Sequence, residues 1–425
     1  MNRSCLISGG EVLTPAGRTR ADVLVTDGIV AEVAEGLTPG DDVVVLDASD
    51  AVVTAGLVDL LPRLGGPGQE ERETSVTAGR AAALGGVTTV LVASEPAAPI
   101  DSVAALRERQ SLTSADVHEI YCGAITVGHG PDRLAPLGEL AAEGVTAFSD
   151  GGCPVENLDL LRNALEYGSV LGATFFLHPE VPDLGRGGSM HEGSWSGRLG
   201  LKGRPAIAEI LGVQRLLALC ELTGARIHVH RVSTAAAAAL VVGAAEAGLP
   251  VSCGVTPHHL VFTDADCRSY DTMRRFDPPL RPAADRDALA EAVASGAITT
   301  VCSDHSPHTA QSKELPFDQA PAGAVGIQTA LGVVLGDVGL DPEVALSVLA
   351  WGPGRLLGDA AAGEISPGRP ADLAVIEPEA RWTVREGDLA SRSRNSAFSG
   401  RELTGVVRHT VVGGRAVVVD GKGQW

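Results

Sequence analysis

The chain is short of positive charge. Its 33 Lys and Arg residues face 53 Asp and Glu, leaving a net charge of −20 over 425 residues. No basic stripe is available to neutralise phosphates, so a nucleic-acid partner is excluded and an anionic membrane surface is disfavoured. No run of about 18 apolar residues is present, so no membrane span is expected. The opening residues, MNRSCLISGG, lack the basic and apolar regions of a signal peptide, and a cytoplasmic location is the expectation. None of the seven cysteines sits in a C-x-x-C pair, which predicts buried free thiols in a reducing compartment. Lysine is scarce, 3 against 30 arginines, a bias that reads as genomic base composition. Repeats and low-complexity linkers are lacking too.

What is present suits a large folded enzyme-sized unit. Hydrophobic residues make up 44% and charged residues 20%, which rules out general disorder. The length fits one large α/β barrel with a smaller satellite. Residues 1–54 carry short β-rich pieces, CLISGGEVLT, ADVLVTDGIVAEV and DDVVVLDAS, separated by Gly, Pro and Asp turns. The end repeats that texture in ADLAVIEP and GVVRHTVVGGRAVVVDG. Two β-rich ends around a long middle predict a small β-sandwich made from both termini, residues 1–54 and 366–425.

The middle, residues 55–365, alternates. Apolar strands are predicted at 58–61, 88–94, 120–127, 145–150, 173–178, 226–233, 251–256 and 299–305, with helical Ala/Leu/Glu segments between several of them. Eight such units predict a (β/α)8 TIM-like barrel, whose chemistry belongs at the C-terminal strand ends. Those ends read Leu61, Asp150, His178, Arg231 and Asp304. Ser233-Thr234 before the Ala run at 235–239 predicts an N-capped helix.

Several motifs resemble the dihydroorotases of the amidohydrolase superfamily: AGLVDL (55–60), AAALGGVTTV (81–90), VTAFSD (145–150), EGSWSGRLGL (192–201), VTPHH (255–259), DPPLR (277–281), SDHSPH (303–308) and SRSRNSAFSGREL (391–403). They follow in order over nearly the whole chain. The resemblance implies an α/β fold, a metal-dependent (β/α)8 amidohydrolase barrel with a β-sandwich from both termini. It also implies opening or closing of the dihydroorotate ring with one or two zinc ions, which acidify a water and polarise the amide carbonyl.

The chain departs from that family pattern at most ligand positions. Where the family has D-L-H-x-H, this chain has Asp59-Leu60-Leu61-Pro62-Arg63; where it has F-S-D-D-G, Gly151 replaces the second Asp; where it has H-x-S-T, Arg231 replaces the His. His178 and Asp304 remain. His230 replaces the lost histidine only if the sixth strand slips by one residue or bulges, and Asp150 is also one residue off register. His228 is expected to pack outside the barrel. Two ligands fall short of the three protein ligands of a catalytic zinc site, so the expectation is no metal site, and no cofactor, with zinc absent or substoichiometric.

Arg63 and Arg231 are expected to stand in for the ions and satisfy the Asp304 carboxylate. The carboxylate- and ring-reading positions of the family become Gly65, Glu95, His308 and Asp277, a pocket that has lost a cation and gained anions. Substrate-binding candidates are therefore His308, Arg63, Arg231, Glu95 and Asp277, and Asp304 and His178 are catalytic if catalysis remains. His258, His259 and His305 read as structural. The leading expectation is a dihydroorotase-like protein without dihydroorotase activity. It would serve as a non-catalytic partner, for instance of aspartate carbamoyltransferase, or as a homo-oligomer. The alternative is a metal-independent enzyme acting on a cyclic amide, imide or ureide, and a ligand-binding role for the old pocket is a third.

Overall fold

The computed structural model describes residues 3–40 and 43–425; Asp41 and Asp42, at the head of one predicted β-rich piece, lie outside the described residues, as do Met1 and Asn2. Eight parallel barrel strands follow the predicted order. They are Leu57–Leu60, Val87–Val92, His118–Tyr121 with its continuation Gly123–Ala124, Ala147–Ser149, Thr174–Leu177, Arg226–His230, Val251–Val255 and Thr300–Val301. Pairing is parallel from the first strand to the third and from the third to the eighth, with one register shift, between Leu57 and Val58. The ring closes through side chain and loop. Asp59, in the first strand, accepts from Ser303 N at 2.7 Å and from the Ser303 hydroxyl, and Arg63 N donates to His305 O at 2.9 Å.

Helices between the strands start where a side chain satisfies the free N–H groups of the first turn. Thr74 caps Ser75–Leu84, Ser102 caps Val103–Ser111, Asn157 caps Leu158–Val170 and Thr234 caps Ala235–Glu246. Val, Leu and Ala on their inner faces pack against the outer barrel surface, in a core that holds Val90, Phe148, Phe175, Ile227 and Val229. The lumen carries a separate apolar plug of Leu60, Leu91, Cys122, Ala147, Phe176 and Cys302.

Both termini build the β-rich unit. Val52–Ala55 pairs antiparallel with Leu373–Thr383, which pairs with Glu402–Val412. Cys5–Ser8 sits between Asp22–Thr26 and Val44–Asp47 in a second sheet. Ile7, Val23, Leu46, Val53, Leu373 and Val411 fill the space between. Between its long strands the C-terminal part sends residues 391–398 back onto the barrel, where Val325 N donates to Asn395 O at 3.1 Å.

Two expectations are corrected here. His228 does not pack outside the barrel: its ring lies 5.2 Å from the lumen residue Phe176, because it shares a strand face with His230. Cys153 is exposed, whereas the other six thiols are buried. No helix among the described residues is long and apolar enough to cross a membrane.

Candidate active site

The strand ends gather a charged cluster. Arg231, just beyond the sixth strand, places Nη2 3.2 Å from Asp304 Oδ1, beyond the eighth, and also donates to the Asp277 carbonyl. Its loop is fixed from behind. The buried Glu209 carboxylate accepts from Ser233 N and Thr234 N, each at 2.9 Å, and pairs with Arg281 at 3.3 Å. Burial raises the Asp304 pKa, although Arg231 and Arg63 pull it down.

His178, at the end of the fifth strand, is held by its backbone N–H, which donates to Asp150 Oδ2 at 2.8 Å. Its Nε2 lies 3.6 Å from Glu180 Oε2 and 3.8 Å from Asp277 Oδ1. Burial disfavours the imidazolium, yet the neighbouring Glu180, Asp277 and Asp150 carboxylates outweigh it and raise the pKa. Arg204 bridges the two acids: Nε donates to Glu180 Oε1 at 3.0 Å and Nη1 to Asp277 Oδ1 at 2.8 Å, with Nη2 on Glu180 Oε2. Against burial, Arg204, His178 and Arg231 hold Asp277 below the usual carboxylate range. Glu180 is lowered too, by His178 and Arg204.

The predicted site residues divide. Asp304, His178, Arg231 and Asp277 converge. Arg63 lies at the margin, 4.0 Å from Glu95 and 3.3 Å from Ser306 Oγ. Glu95 therefore turns inward, toward a cation. His308 is held as part of the loop: its N–H donates to Asn395 Oδ1 at 3.0 Å, its Nε2 lies 2.8 Å from Ala322 O, and burial lowers its pKa to about 3. Asp150 is occupied by His178 N and by Gly152 N at 3.0 Å. His230 is buried, with Nδ1 lacking a hydrogen-bond partner among the described residues. His258 stacks on Phe276 at 4.2 Å, and His259 lies 3.0 Å from Pro278 O. His305 lies 3.4 Å from the buried Glu73.

Glu180 and Arg204 were not anticipated. Glu180 lies two residues past the strand-five histidine, in His178-Pro179-Glu180, and that spacing was the available signal. The pocket is accordingly not a net gain of unmatched anions, because Arg204 neutralises Asp277 and Arg63 faces Glu95.

One donor set fits a metal ion. The ligand atoms of His178, Glu180 and Asp277 all lie within 4.8 Å of one another. One imidazole and two carboxylates match the number and type of protein ligands at a catalytic zinc. The family's own position at Gly151 does not fit an acid. A Cβ there would lie 2.6 Å from His129 Cε1 and 2.8 Å from Ser94 O, at a φ of +64°.

Known proteins point the same way. The Dihydro-orotase-like family model matches residues 50–237 and the Amidohydrolase family model residues 221–417. The dihydroorotase of Anaeromyxobacter dehalogenans (strain 2CP-C) is 43% identical over 432 residues, covering 99% of both chains. That of Pelotomaculum thermopropionicum is 40% identical over 423 residues, covering 98% of both. In fold, the chain matches L-hydantoinase (dihydropyrimidinase) from Arthrobacter aurescens with a TM-score of 0.89, at 22% identity, over 99% of this chain and 97% of that one.

These findings correct three expectations. Relatives named dihydroorotase over the full length overturn the reading of an inactive partner, and with it the metal-independent alternative. The His178, Glu180 and Asp277 cluster overturns the expectation of no metal and no cofactor. The physical reason is that two of the three donors, Glu180 and Asp277, lie in loops beyond the strand ends.

Proposed function

We propose, for a chain that belongs to the dihydroorotase family of amidohydrolases, that it opens and closes the cyclic amide of dihydroorotate at the ends of its barrel strands. The carrying observation is the convergence of three ligand-type side chains with the Arg231–Asp304 pair at one place. His178, Glu180 and Asp277 would hold the metal, which supplies Lewis-acid polarisation of the amide carbonyl and an acidified water.

The protein's own groups do the rest. In ring opening, Asp304 takes a proton from the attacking water and delivers it to the departing ring nitrogen as the C–N bond breaks. Ring closure runs the same proton backwards. A carboxyl with a raised pKa suits such an exchange. Arg231 stabilises negative charge developing on the carbonyl oxygen. Arg63, partly exposed and only loosely paired with Glu95, is the cation placed to receive the substrate carboxylate. Glu95 limits how deep that carboxylate goes.

The test is interconversion of dihydroorotate and carbamoyl aspartate by the purified protein, before and after loading with zinc. Turnover that disappears in His178→Ala and Asp304→Asn supports the reading. A folded, zinc-loaded protein without turnover overturns it.

A further inference from the structure

We infer that Arg204 is a built-in rival of the metal ion, an internal cation seated on the very oxygens that a metal at His178 needs. The inference rests on the metal reading above and concerns how that site is loaded.

The geometry is specific. The carboxylate oxygens closest to His178 Nε2 are Glu180 Oε2 and Asp277 Oδ1. Those two oxygens are the ones to which Arg204 donates, through Nη2 and Nη1, while Nε takes the remaining Glu180 oxygen. A guanidinium fork matched to one carboxylate and touching a second is a strong arrangement where Arg204 and Glu180 are each 13% exposed, with Asp277 at the more open edge at 44%.

The arginine is also held in place. Its backbone pairs with His191 in a two-residue parallel bridge, and its carbonyl accepts from Arg281 Nη1 at 3.1 Å. Glycines make room for it. A Cβ on Gly188 would lie 2.4 Å from Arg204 Cγ, and one on Gly185 would lie 2.4 Å from Glu180 Oε1. Any side chain at either position would push the stem or its partner away.

Charge arithmetic gives the consequence. Glu180 and Asp277 carry two negative charges, and Arg204 cancels one. A divalent cation entering beside His178 meets one net negative charge instead of two, and a guanidinium at close range repels it. Metal binding therefore displaces or loosens the fork. Without metal, the same fork keeps two neighbouring carboxylates from repelling each other. Arg204 thus lowers metal affinity and preserves the empty site, so that occupancy follows the metal supply.

The experiment is a cobalt(II) titration of the whole protein followed by visible absorption, with zinc-induced shift of the melting temperature as a second readout. Arg204→Gln is expected to bind cobalt about tenfold more tightly than the native protein, since a like charge is removed at close range. It is also expected to show the larger zinc-induced shift. His178→Ala in the Arg204→Gln background should abolish the gain, which locates it. Should Arg204→Gln fold only with metal, Arg204→Lys carries the test, because it keeps the charge but loses the fork and should tighten binding by a smaller factor. Equal or weaker binding in the Arg204 variants, still dependent on His178, overturns the rivalry while leaving the metal site standing. Binding that ignores His178 in every variant overturns the metal reading itself, and the inference with it.

Discussion

Arg231 Nη2 lies 3.2 Å from Asp304 Oδ1, with both side chains almost withdrawn from solvent, at 13% and 8% exposure. The pair joins the ends of the sixth and eighth strands across the barrel mouth. Burial still raises the Asp304 pKa, so the guanidinium offsets only part of the desolvation. Removing it strands the carboxylate. Arg231→Ala is expected to cost about 3 kcal/mol in chemical denaturation, as for other broken buried pairs. Arg231→Ala combined with Asp304→Ala should recover part of that loss. Additive effects in the cycle would mean that the two side chains are not coupled.

A second buried acid pins the C-terminal segment to the barrel. Glu73 accepts from Thr74 N at 3.2 Å and Arg392 N at 3.1 Å, from the Ser391 and Thr77 hydroxyls, and faces His305. Burial opposes ionisation, but His305 and these hydroxyls prevail and lower its pKa. A carboxyl whose folded pKa is depressed stabilises the fold above its unfolded value and loses that contribution as pH falls through the folded value. Glu73→Gln should therefore melt lower than the native protein at pH 7, and the gap should narrow toward pH 3. A pH-independent gap in the melting temperatures would show that the charge does not contribute.

How far the sequence carried the fold and the site differs by element. Val, Thr and Leu runs of strand length made the eight barrel strands legible, because a strand buried on both faces must be apolar throughout. The strand-end residues His178, Arg231 and Asp304 were legible for the same reason. Thr234 as a cap followed from its chemistry alone. Glu180 carried a signal in its spacing from His178, but its pairing with Arg204 was not legible, since the two meet only when the two-residue strand Gly203–Arg204 pairs with Met190–His191 and brings Arg204 onto the loop after the fifth strand. No local pattern encodes a contact 24 residues away. The two-residue period of the strand puts His228 on the same face as His230, and so in the lumen rather than outside it.

Gly151 offers a test of why this chain does not use the family's ligand position. Its φ of +64° and the nearby His129 ring and Ser94 carbonyl leave no space for a side chain. Gly151→Asp is expected to lower the melting temperature and to add no metal, losing at least about 1 kcal/mol from the left-handed backbone alone. Adding His129→Ala should return the part due to the ring, while the strain and the Ser94 contact persist. A Gly151→Asp protein as stable as the native one, with an extra equivalent of zinc by elemental analysis, would refute the steric account.

The proton-transfer role of Asp304 sets the pH profile. Its carboxyl must be ionised to accept a proton from water, and burial, the largest influence on it, raises its pKa. A base with a raised pKa loses activity as pH falls through that value, so the acid limb of ring opening should lie above the ordinary aspartate value. Arg231→Gln removes the nearest opposing charge and should move the limb further toward neutrality, because desolvation then acts with less compensation. Asp304→Asn keeps shape and volume while removing the base, so it should cost at least about 10² in kcat, the lower bound for a positioned general base. Its circular dichroism spectrum should match that of the native protein. The ring-opening rate measured from pH 4 to 9 decides the matter. A limb that stays in place in Arg231→Gln, or substantial activity in folded Asp304→Asn, would assign the proton transfer to another group.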